Sequence, residues 1–319
     1  MRESGILMHI SSLPGPYGIG TMGKNAYKFV DFLEAAGQSY WQILPLTPTG
    51  FGDSPYQSFS ACAGNHYLID LDTLVEEGLL KREEITGIVW EKQSDRVDYG
   101  TLYAQRSKLL AKACSRFVRD ATYEAFVKEN REWLEEYAIF MALKNSMGGK
   151  IWLDWPEELK CHDASALAAK RLALKAEVEL QYFLQYQFDR QWMALRSYAN
   201  KKGIRIIGDV TPEKVRILQN ADSIFSAELE STRMHQQISQ YFAVLTDNLT
   251  VDITGADRTP RYTLALRAIN TDDFMTARWT RLPYELLDRI SHTVIEKVPQ
   301  INRVVYDVTS KPPATIEWE

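Results

Sequence analysis

The chain has 319 residues, of which 45% are hydrophobic, and this is enough for one large domain or two ordinary domains with substantial cores. A formal net charge of −5, with lysine and arginine scattered along the sequence, argues against a basic groove for nucleic acid. The apolar runs are too short to span a membrane and the three cysteines show no disulfide or zinc pattern, so the composition predicts a soluble cytoplasmic protein.

The first fifty residues predict a strand, a helix and a second strand. An apolar strand is expected over 5–10, followed by the Pro/Gly loop SSLPGPYGIG. Apolar residues then recur at helical spacing from Ala26 to Leu33, the helix stops at Gly37, and a second strand is expected over 40–44. This order with short loops indicates a right-handed βαβ unit and therefore a parallel sheet.

A long helical insertion is predicted from about 75 to 202. Apolar residues recur at helical spacing across 102–117 and 126–141. Between Asp163 and Lys202 there is neither glycine nor proline. One unbroken helix there would be roughly 60 Å long, so we expect two helices or a kink.

The remaining chain predicts a small α+β unit with its own core. A strand over 204–207 first returns the chain to the parallel sheet. Thr211 as N-cap with Pro212 at the first helical position then begins a new helix, and the small unit starts there. Further elements are expected as strands at 241–245, 249–253 and 262–269, a helix opened by Pro283, and a last strand at 303–308.

Polar residues follow the predicted parallel strands, where ligands bind in α/β sheets. They are found in His9–Ser12, Pro45–Thr47 and Gly208–Asp209. With the nearby aromatic residues Tyr17, Tyr56 and Phe59 they suit a sugar site, because aromatic faces stack on sugars and polar groups bind their rims. Any α/β protein carries such residues, and the pattern alone favours this ordinary interpretation.

Specific segments resemble a known family. SSLPGPYGIGTMG and YWQILPLTPTGFGDSPYQSFSACAGNHYLIDLD resemble the opening of the 4-α-glucanotransferases, and GIRIIGDV is similar to a strand that this family continues with proline. The resemblance covers about Gly5 to Val210. It implies a (β/α)8 TIM barrel with a helical insertion and retaining transfer of α-1,4-glucan segments. By position, Tyr56 and Asp209 would contact sugar rather than catalyse.

The catalytic residues of that family are not recognised here. Retaining transfer needs two carboxyl groups roughly 5 Å apart. The family supplies a nucleophilic Asp in Arg-Ile-Asp-His, an acid/base Glu ahead of Asp-Leu-Gly, and a stabilising Asp beside a His. We therefore assign no catalytic residue and expect an inactive chain with at most weak binding of malto-oligosaccharide. Three barrel strands cannot close a cylinder of eight, so an unpaired sheet edge is expected.

The rest of the chain resembles the C-terminal dimerisation domain of GMP synthetase. The segments are TPEKVRILQNADSI, RYTLALRAINTDDFMTARWTRLPYELLDRIS and NRVVYDVTSKPPATIEWE. The resemblance implies a homodimer, with Lys311 meeting the nucleotide and Glu317 holding the tail or the ligand. A solvated tail is the stronger alternative here, because the Ser-Gly-Gly-Val-Asp-Ser phosphate loop and the glutaminase cysteine are missing from the sequence.

The predicted architecture is α/β: an incomplete barrel segment over 1–210 and a small α+β domain over 211–319. Three functions remain open: an enzyme of glucan metabolism, a component that converts XMP to GMP, and a non-enzymatic fusion that only self-associates. The five histidines have no ligand spacing, so no metal and no cofactor are predicted. Amplifying the codons for Asp209–Pro212 from source DNA would separate a natural gene from an assembly join.

Overall fold

The structure, a computed structural model, describes residues 3–50, 53–55, 58–90, 96–208, 212–251, 260–271 and 275–316. It is a mixed α/β chain that divides into two compact units, Met1–Val210 and Thr211–Glu319. Each unit has its own sheet and its own hydrophobic core. Among the described helices, none combines the length and the apolar composition needed to cross a membrane.

The first unit contains a parallel sheet of three short strands. These are β1 (Gly5–Leu7), β2 (Tyr40–Gln42) and β3 (Arg205–Ile207), in the order β1-β2-β3. Helix α1 (Lys24–Ala35) connects β1 to β2, so the predicted βαβ unit is confirmed. The strands are shorter than the apolar runs that predict them, because a 3-10 turn at Ile10–Ser12 soon follows β1 and Pro45, which lacks an N–H, soon follows β2.

Most of the described residues between 71 and 201 are helical, which confirms the helical insertion predicted for about 75–202. The helix bounds are α2 (Leu71–Glu76), α3 (Arg82–Ile85), α4 (Tyr99–Thr101), α5 (Ser107–Arg116), α6 (Ala121–Glu129), α7 (Arg131–Ser146), α8 (Glu157–Lys160), α9 (Ala164–Ala173) and α10 (Lys175–Lys201). A π-helical stretch, Leu102–Arg106, joins α4 to α5. The predicted division of 163–202 into two helices is confirmed, with Leu174 between α9 and α10.

Aspartates define where several of these helices begin. The side chains of Asp70, Asp98, Asp120 and Asp163 each accept a hydrogen bond from a backbone N–H in the first turn of the helix that follows. The first N–H groups of a helix have no partner within it, so a carboxylate at the N-cap satisfies one of them and also interacts favourably with the helix dipole.

Helix α10 supplies much of the core of the first unit. Its apolar side chains pack with α1 and with the covered face of the sheet, where Trp41 is fully buried. The residues of α10 in this core are Phe183, Leu184, Phe188, Trp192, Leu195 and Ala199. This layer of helices fixes the loops that follow β2, and those loops bear the candidate site.

The second unit is built around one long central strand. Strand β5 (Pro260–Asn270) pairs antiparallel with β4 (Gln240–Val251) and β6 (Arg278–Trp279), and parallel with β7 (Ile301–Tyr306). Helices α11 (Pro212–Ser231) and α12 (Tyr284–Lys297) cover one face. The core on that face contains Ala221, Phe225, Leu264, Leu266, Ile290 and Val294.

One strand prediction in this unit is wrong. The strands expected at 241–245 and 249–253 are one strand, β4, as far as Val251, and residues 252 and 253 lie outside the described residues. The pairing with β5 shifts register between Leu245 and Leu249, so an irregularity in the ladder lies where the prediction placed a break between two strands. Thr211, the predicted N-cap of α11, lies outside the described residues.

A buried arginine fastens the C-terminal segment to the other face of this sheet. Arg267 of β5 has no exposed surface. It donates hydrogen bonds to the Asp307 carboxylate (2.5 Å) and to the carbonyl oxygens of Thr309 (3.1 Å), Thr315 (2.8 Å) and Ile316 (2.5 Å). Both faces of the central strand are therefore covered by the chain itself.

Candidate functional site

A cavity of about 990 Å³ lies in the first unit, beside the loop that follows β2. Its walls come from residues 48–50 and 53 of that loop, from residues 65–67 at the 3-10 turn His66–Leu68, and from parts of α4, α5, α7 and α10. Ligands of parallel sheets bind near the C-terminal ends of the strands, and this loop leaves such an end.

Four aromatic side chains, Phe59, Tyr67, Tyr99 and Tyr103, form the stacking surface of this cavity. The Tyr67 and Tyr99 rings meet close to edge-to-face, with centroids 6.1 Å apart. Tyr67 is buried, whereas Tyr103 keeps 65% of its surface exposed. A cavity lined by both exposed and buried aromatic rings suits a sugar chain, because sugar rings have apolar faces and hydroxyl-bearing rims.

Tyr103 lies in the π-helical stretch Leu102–Arg106. Such stretches are rare and are frequently found at functional sites. Leu102 and Arg106 are fully buried, while Tyr103 between them lines the cavity. Helical periodicity in the sequence indicates a helix here but carries no signal for the widened turn, and Tyr103 was therefore missed as a candidate.

The cavity lining includes Asp53, Lys108 and Lys144, and its other polar side chains are uncharged at neutral pH. Desolvation, and secondly the nearby Arg106 cation, lower the pKa of His66 to about 4, so its imidazole is neutral. Desolvation, with a smaller contribution from Asp53, raises the pKa of Tyr67 to about 12, so its hydroxyl keeps its proton. Burial also raises the pKa of Asp53. Neutral donors and acceptors suit the hydroxyl groups of an uncharged ligand.

Two buried glutamines of α10 hold the segment that bears His66 and Tyr67. The Gln185 amide accepts from the Gly64 N–H (2.7 Å) and donates to the Gly64 carbonyl oxygen (3.0 Å). Gln191 makes the same pair of bonds with Asp70, at 2.7 and 3.4 Å. Sequence reasoning missed both residues, because their partners are backbone groups 121 positions earlier in the chain.

Arg106 is fully buried behind the cavity wall. Its Nη2 donates to the Ile69 carbonyl oxygen, while its Nε and Nη1 find no hydrogen-bond partner among the described residues. Burial lowers the pKa of Arg106 to about 10, and the Asp70 carboxylate opposes this change, so the side chain is still a cation at pH 7. This cation helps to keep His66 neutral.

Only one of the four predicted site residues is described. Tyr56, Asp209 and Glu317 lie outside the described residues, and Lys311 lies in the second unit. Of the two other aromatic residues of the predicted sugar site, Phe59 lines the cavity. Tyr17 is instead in the core of the first unit and donates a hydrogen bond to Asp72.

A His-Asp pair does occur in the helical insertion, at His162–Asp163. Asp163 accepts hydrogen bonds from the Ala166 N–H (2.8 Å) and from the Ser165 hydroxyl (2.6 Å), and it caps α9. The His162 side chain is 68% exposed. This pair is a helix start on the surface and bears no resemblance to an enclosed catalytic pair. Among the described residues, His, Cys, Asp and Glu form no group of three or more that could hold a metal.

Lys311 lines a cavity of about 880 Å³ in the second unit. Its backbone exchanges hydrogen bonds with Ala277, at 2.8 and 3.0 Å. Arg278, Trp279 and Arg281 line the same cavity, and the Arg281 guanidinium lies 5.6 Å from the centroid of the Trp279 ring. Three basic side chains around one cavity favour an anionic ligand.

The family of the chain follows from comparison with known proteins. Residues 8–213 match the family model described as 4-alpha-glucanotransferase, of glycoside hydrolase family 77, and the chain belongs to this family. The 4-alpha-glucanotransferases of Streptococcus pneumoniae and Thermus thermophilus are 47% and 48% identical to it over 215 residues, covering 66% of this chain and 42% of each relative.

Structural comparison agrees. The solved amylomaltase from Streptococcus agalactiae in complex with acarbose is similar with a TM-score of 0.63 and 44% identity, covering 66% of this chain and 43% of that chain. Residues 227–318 match a different family model, described as GMP synthase C terminal domain. The chain thus spans about two fifths of the length of the curated glucanotransferases that it matches.

Proposed function

We propose that the first unit is a glucan-binding segment of 4-α-glucanotransferase type, and that this chain alone does not transfer glucan. The observation that carries the proposal is the cavity with three tyrosines and neutral polar groups, in a segment 47% identical to a 4-alpha-glucanotransferase. The three parallel strands with helices on one face fit the start of a (β/α)8 barrel. Tyr56 and Asp209 are proposed as further sugar contacts.

The proposed lack of turnover rests on the number of carboxylates that line the described part of the cavity. A retaining transfer needs a nucleophile and an acid/base roughly 5 Å apart. Among the described lining residues of the cavity, Asp53 is the single carboxylate. The match to the glucanotransferase family ends at residue 213, and the sequence that follows matches another family.

Titration with maltoheptaose tests the binding. We expect Tyr103→Ala to weaken the affinity about threefold to tenfold, because one stacking face is lost. Tyr284→Ala is the matched control, since Tyr284 is an exposed tyrosine of the second unit at 86% exposure. Equal affinities of the two variants, or no heat of binding by the original chain, would contradict the proposal.

A maltotriose assay tests the lack of transfer separately. The chain alone is expected to release no glucose above the level of a heat-denatured sample. Glucose release at a rate typical of enzymes, about 1 per second or faster, would show that the chain contains a complete catalytic pair.

A second candidate function concerns the second unit, which we propose self-associates and binds a purine nucleotide such as XMP through Lys311 and Glu317. The basic cavity beside Lys311 and the match to a GMP synthase domain favour it. Sedimentation should show a dimer at micromolar concentration. XMP should bind, with loss of binding in Lys311→Ala and no change in Lys297→Ala on α12. A strict monomer, or equal XMP binding by both variants, contradicts it.

A further inference from the structure

Helix α10 carries a set of buried glutamines, of which one differs from the rest. They are Gln181, Gln185, Gln187 and Gln191. Gln185 and Gln191 hold backbone groups, and the Gln187 amide oxygen accepts a hydrogen bond from Arg190 at 3.0 Å. The Gln181 side chain, in contrast, makes no hydrogen bond with any described residue.

Gln181 lies on the part of α10 that lines the cavity of about 990 Å³. Leu180 and Leu184 of the same helix line this cavity as well. Gln181 is only 4% exposed, and neither atom of its amide is completely enclosed by protein. The amide is therefore almost withdrawn from solvent, and what it still exposes opens on the cavity.

An unpaired amide in this position does not serve the stability of the empty chain. Buried polar groups are normally hydrogen-bonded, and one without a partner costs free energy that an apolar side chain of the same shape would not. Gln185 shows how the same helix uses a glutamine for structure, since both of its amide groups are bonded to Gly64. The Gln181 amide is instead available to a molecule in the cavity.

The chemistry of the amide indicates which ligand groups fit it. A glutamine side chain offers an acceptor oxygen and a donor NH₂ side by side in one plane. Two neighbouring hydroxyl groups of a sugar ring match this pair, because one can donate to the oxygen while the other accepts from the nitrogen. In an α-1,4-linked glucan, O1 and O4 of each internal unit belong to the linkages, so O2 and O3 are the neighbouring free pair.

We propose that Gln181 is a specificity-determining residue of this cavity and binds the O2 and O3 hydroxyl groups of one internal glucosyl unit. The cavity would thereby select α-1,4-linked glucans over α-1,3-linked glucans, in which O3 of each internal unit is used by a linkage. This inference rests on the proposed glucan binding and adds to it the hydroxyl pair that is recognised. A site built to bond a hydroxyl group discriminates against a ligand that lacks it, because its own buried group is then left unpaired.

Calorimetric titration of the full chain tests this proposal with two ligands, maltoheptaose and an α-1,3-linked glucose heptasaccharide. The original chain should bind maltoheptaose about tenfold more tightly or better. Gln181→Met keeps the length of the side chain without the amide. It should weaken the binding of maltoheptaose about tenfold and remove the preference between the two ligands, because two hydrogen bonds are lost.

Thermal unfolding without ligand separates a binding role from a structural one. Gln181→Met should unfold at the same temperature as the original chain or at a higher one, because an unpaired polar group has been removed. Gln185→Met, at the same residue type one helical turn later, should unfold at a lower temperature, because the Gly64 groups lose their partner. Gln42→Met, at an exposed glutamine of β2, should change neither the unfolding temperature nor the sugar preference.

The outcomes distinguish this inference from the proposed function. If the original chain gives no heat of binding with maltoheptaose, both are wrong. If the original chain binds and Tyr103→Ala weakens the binding, but Gln181→Met keeps the affinity and the preference, this inference alone is overturned. Equal affinity of the original chain for the two heptasaccharides also overturns it, as does a loss of stability in Gln181→Met as large as that in Gln185→Met.

Discussion

The two sheets of this chain differ in how much of their surface the chain itself covers. Among the described residues, the first has three strands of three residues, one covered face and two edges without a further strand. The second has strands of up to 12 residues, with α11 and α12 on one face and the C-terminal segment fastened to the other. A sheet with an uncovered face or an unpaired edge is therefore prone to aggregation or is available to bind another chain.

The difference lies in where the covering residues come from. In the second unit, β5 and the segment that covers its outer face are only 40 to 49 positions apart in sequence, as the bonds of Arg267 show. In the first unit, β1 and β2 are joined through α1, but β3 follows more than 160 residues later, after the helical insertion. In the second unit, nearby segments of the chain cover both faces of the sheet. In the first unit, the described helical layer covers one face.

Removing Arg267 should have the largest effect and should make the second sheet resemble the first. Arg267→Met keeps most of the side-chain length but leaves the Asp307 carboxylate and three carbonyl oxygens without their donor. Breaking a buried ion pair on one side costs about 3 to 5 kcal/mol. Hydrogen exchange of the β5 amides should report a loss of this size in the free energy of unfolding.

Arg303→Met is the control for this change, since Arg303 is an exposed residue of β7 in the same sheet. It should alter the exchange of β5 by less than about 0.5 kcal/mol. Similar losses in both variants would mean that the C-terminal segment is not held by the Arg267 contacts.

Replacing Gln185 tests how much the helical layer stabilises the first unit. Gln185→Ala leaves the Gly64 N–H and carbonyl oxygen buried without partners, which costs about 2 to 3 kcal/mol. Urea unfolding of the first unit should show this loss. Gln42→Ala, at an exposed glutamine of β2, should have little effect. A larger loss for Gln42→Ala would show that the sheet, rather than the helical layer, stabilises this unit.

A pH effect of smaller size is expected in the first unit. The pKa of His66 in the folded chain, about 4, lies below the usual 6.5, so unfolding takes up a proton between these values. The free energy of unfolding should therefore fall as the pH drops from about 6.5 toward 4. At pH 5, His66 should account for a loss of about 1 to 2 kcal/mol relative to neutral pH.

His66→Gln should reduce this pH dependence, although His9, whose pKa burial also lowers to about 4, will keep part of it. His162→Gln, at a histidine that is 68% exposed, should leave the curve unchanged. Thermal unfolding between pH 4.5 and 7.5 distinguishes the two variants. The same curve for His66→Gln and the original chain would contradict the low pKa.

Local features of the sequence determined the helical insertion, the first βαβ unit and the family. The lack of glycine and proline between Asp163 and Lys202 predicts the long helical stretch that α9 and α10 form. These features depend on residues a few positions apart, so they can be recognised without tertiary structure.

Only the tertiary structure decided the contacts that connect distant parts of the chain. No local pattern indicates that Gln185 holds Gly64, that Arg267 holds the carbonyl oxygens of a later segment, or that Tyr103 of the π-helical stretch lines the cavity. These contacts arise from packing across tens to more than a hundred residues, and side-chain type at one position does not specify its distant partner.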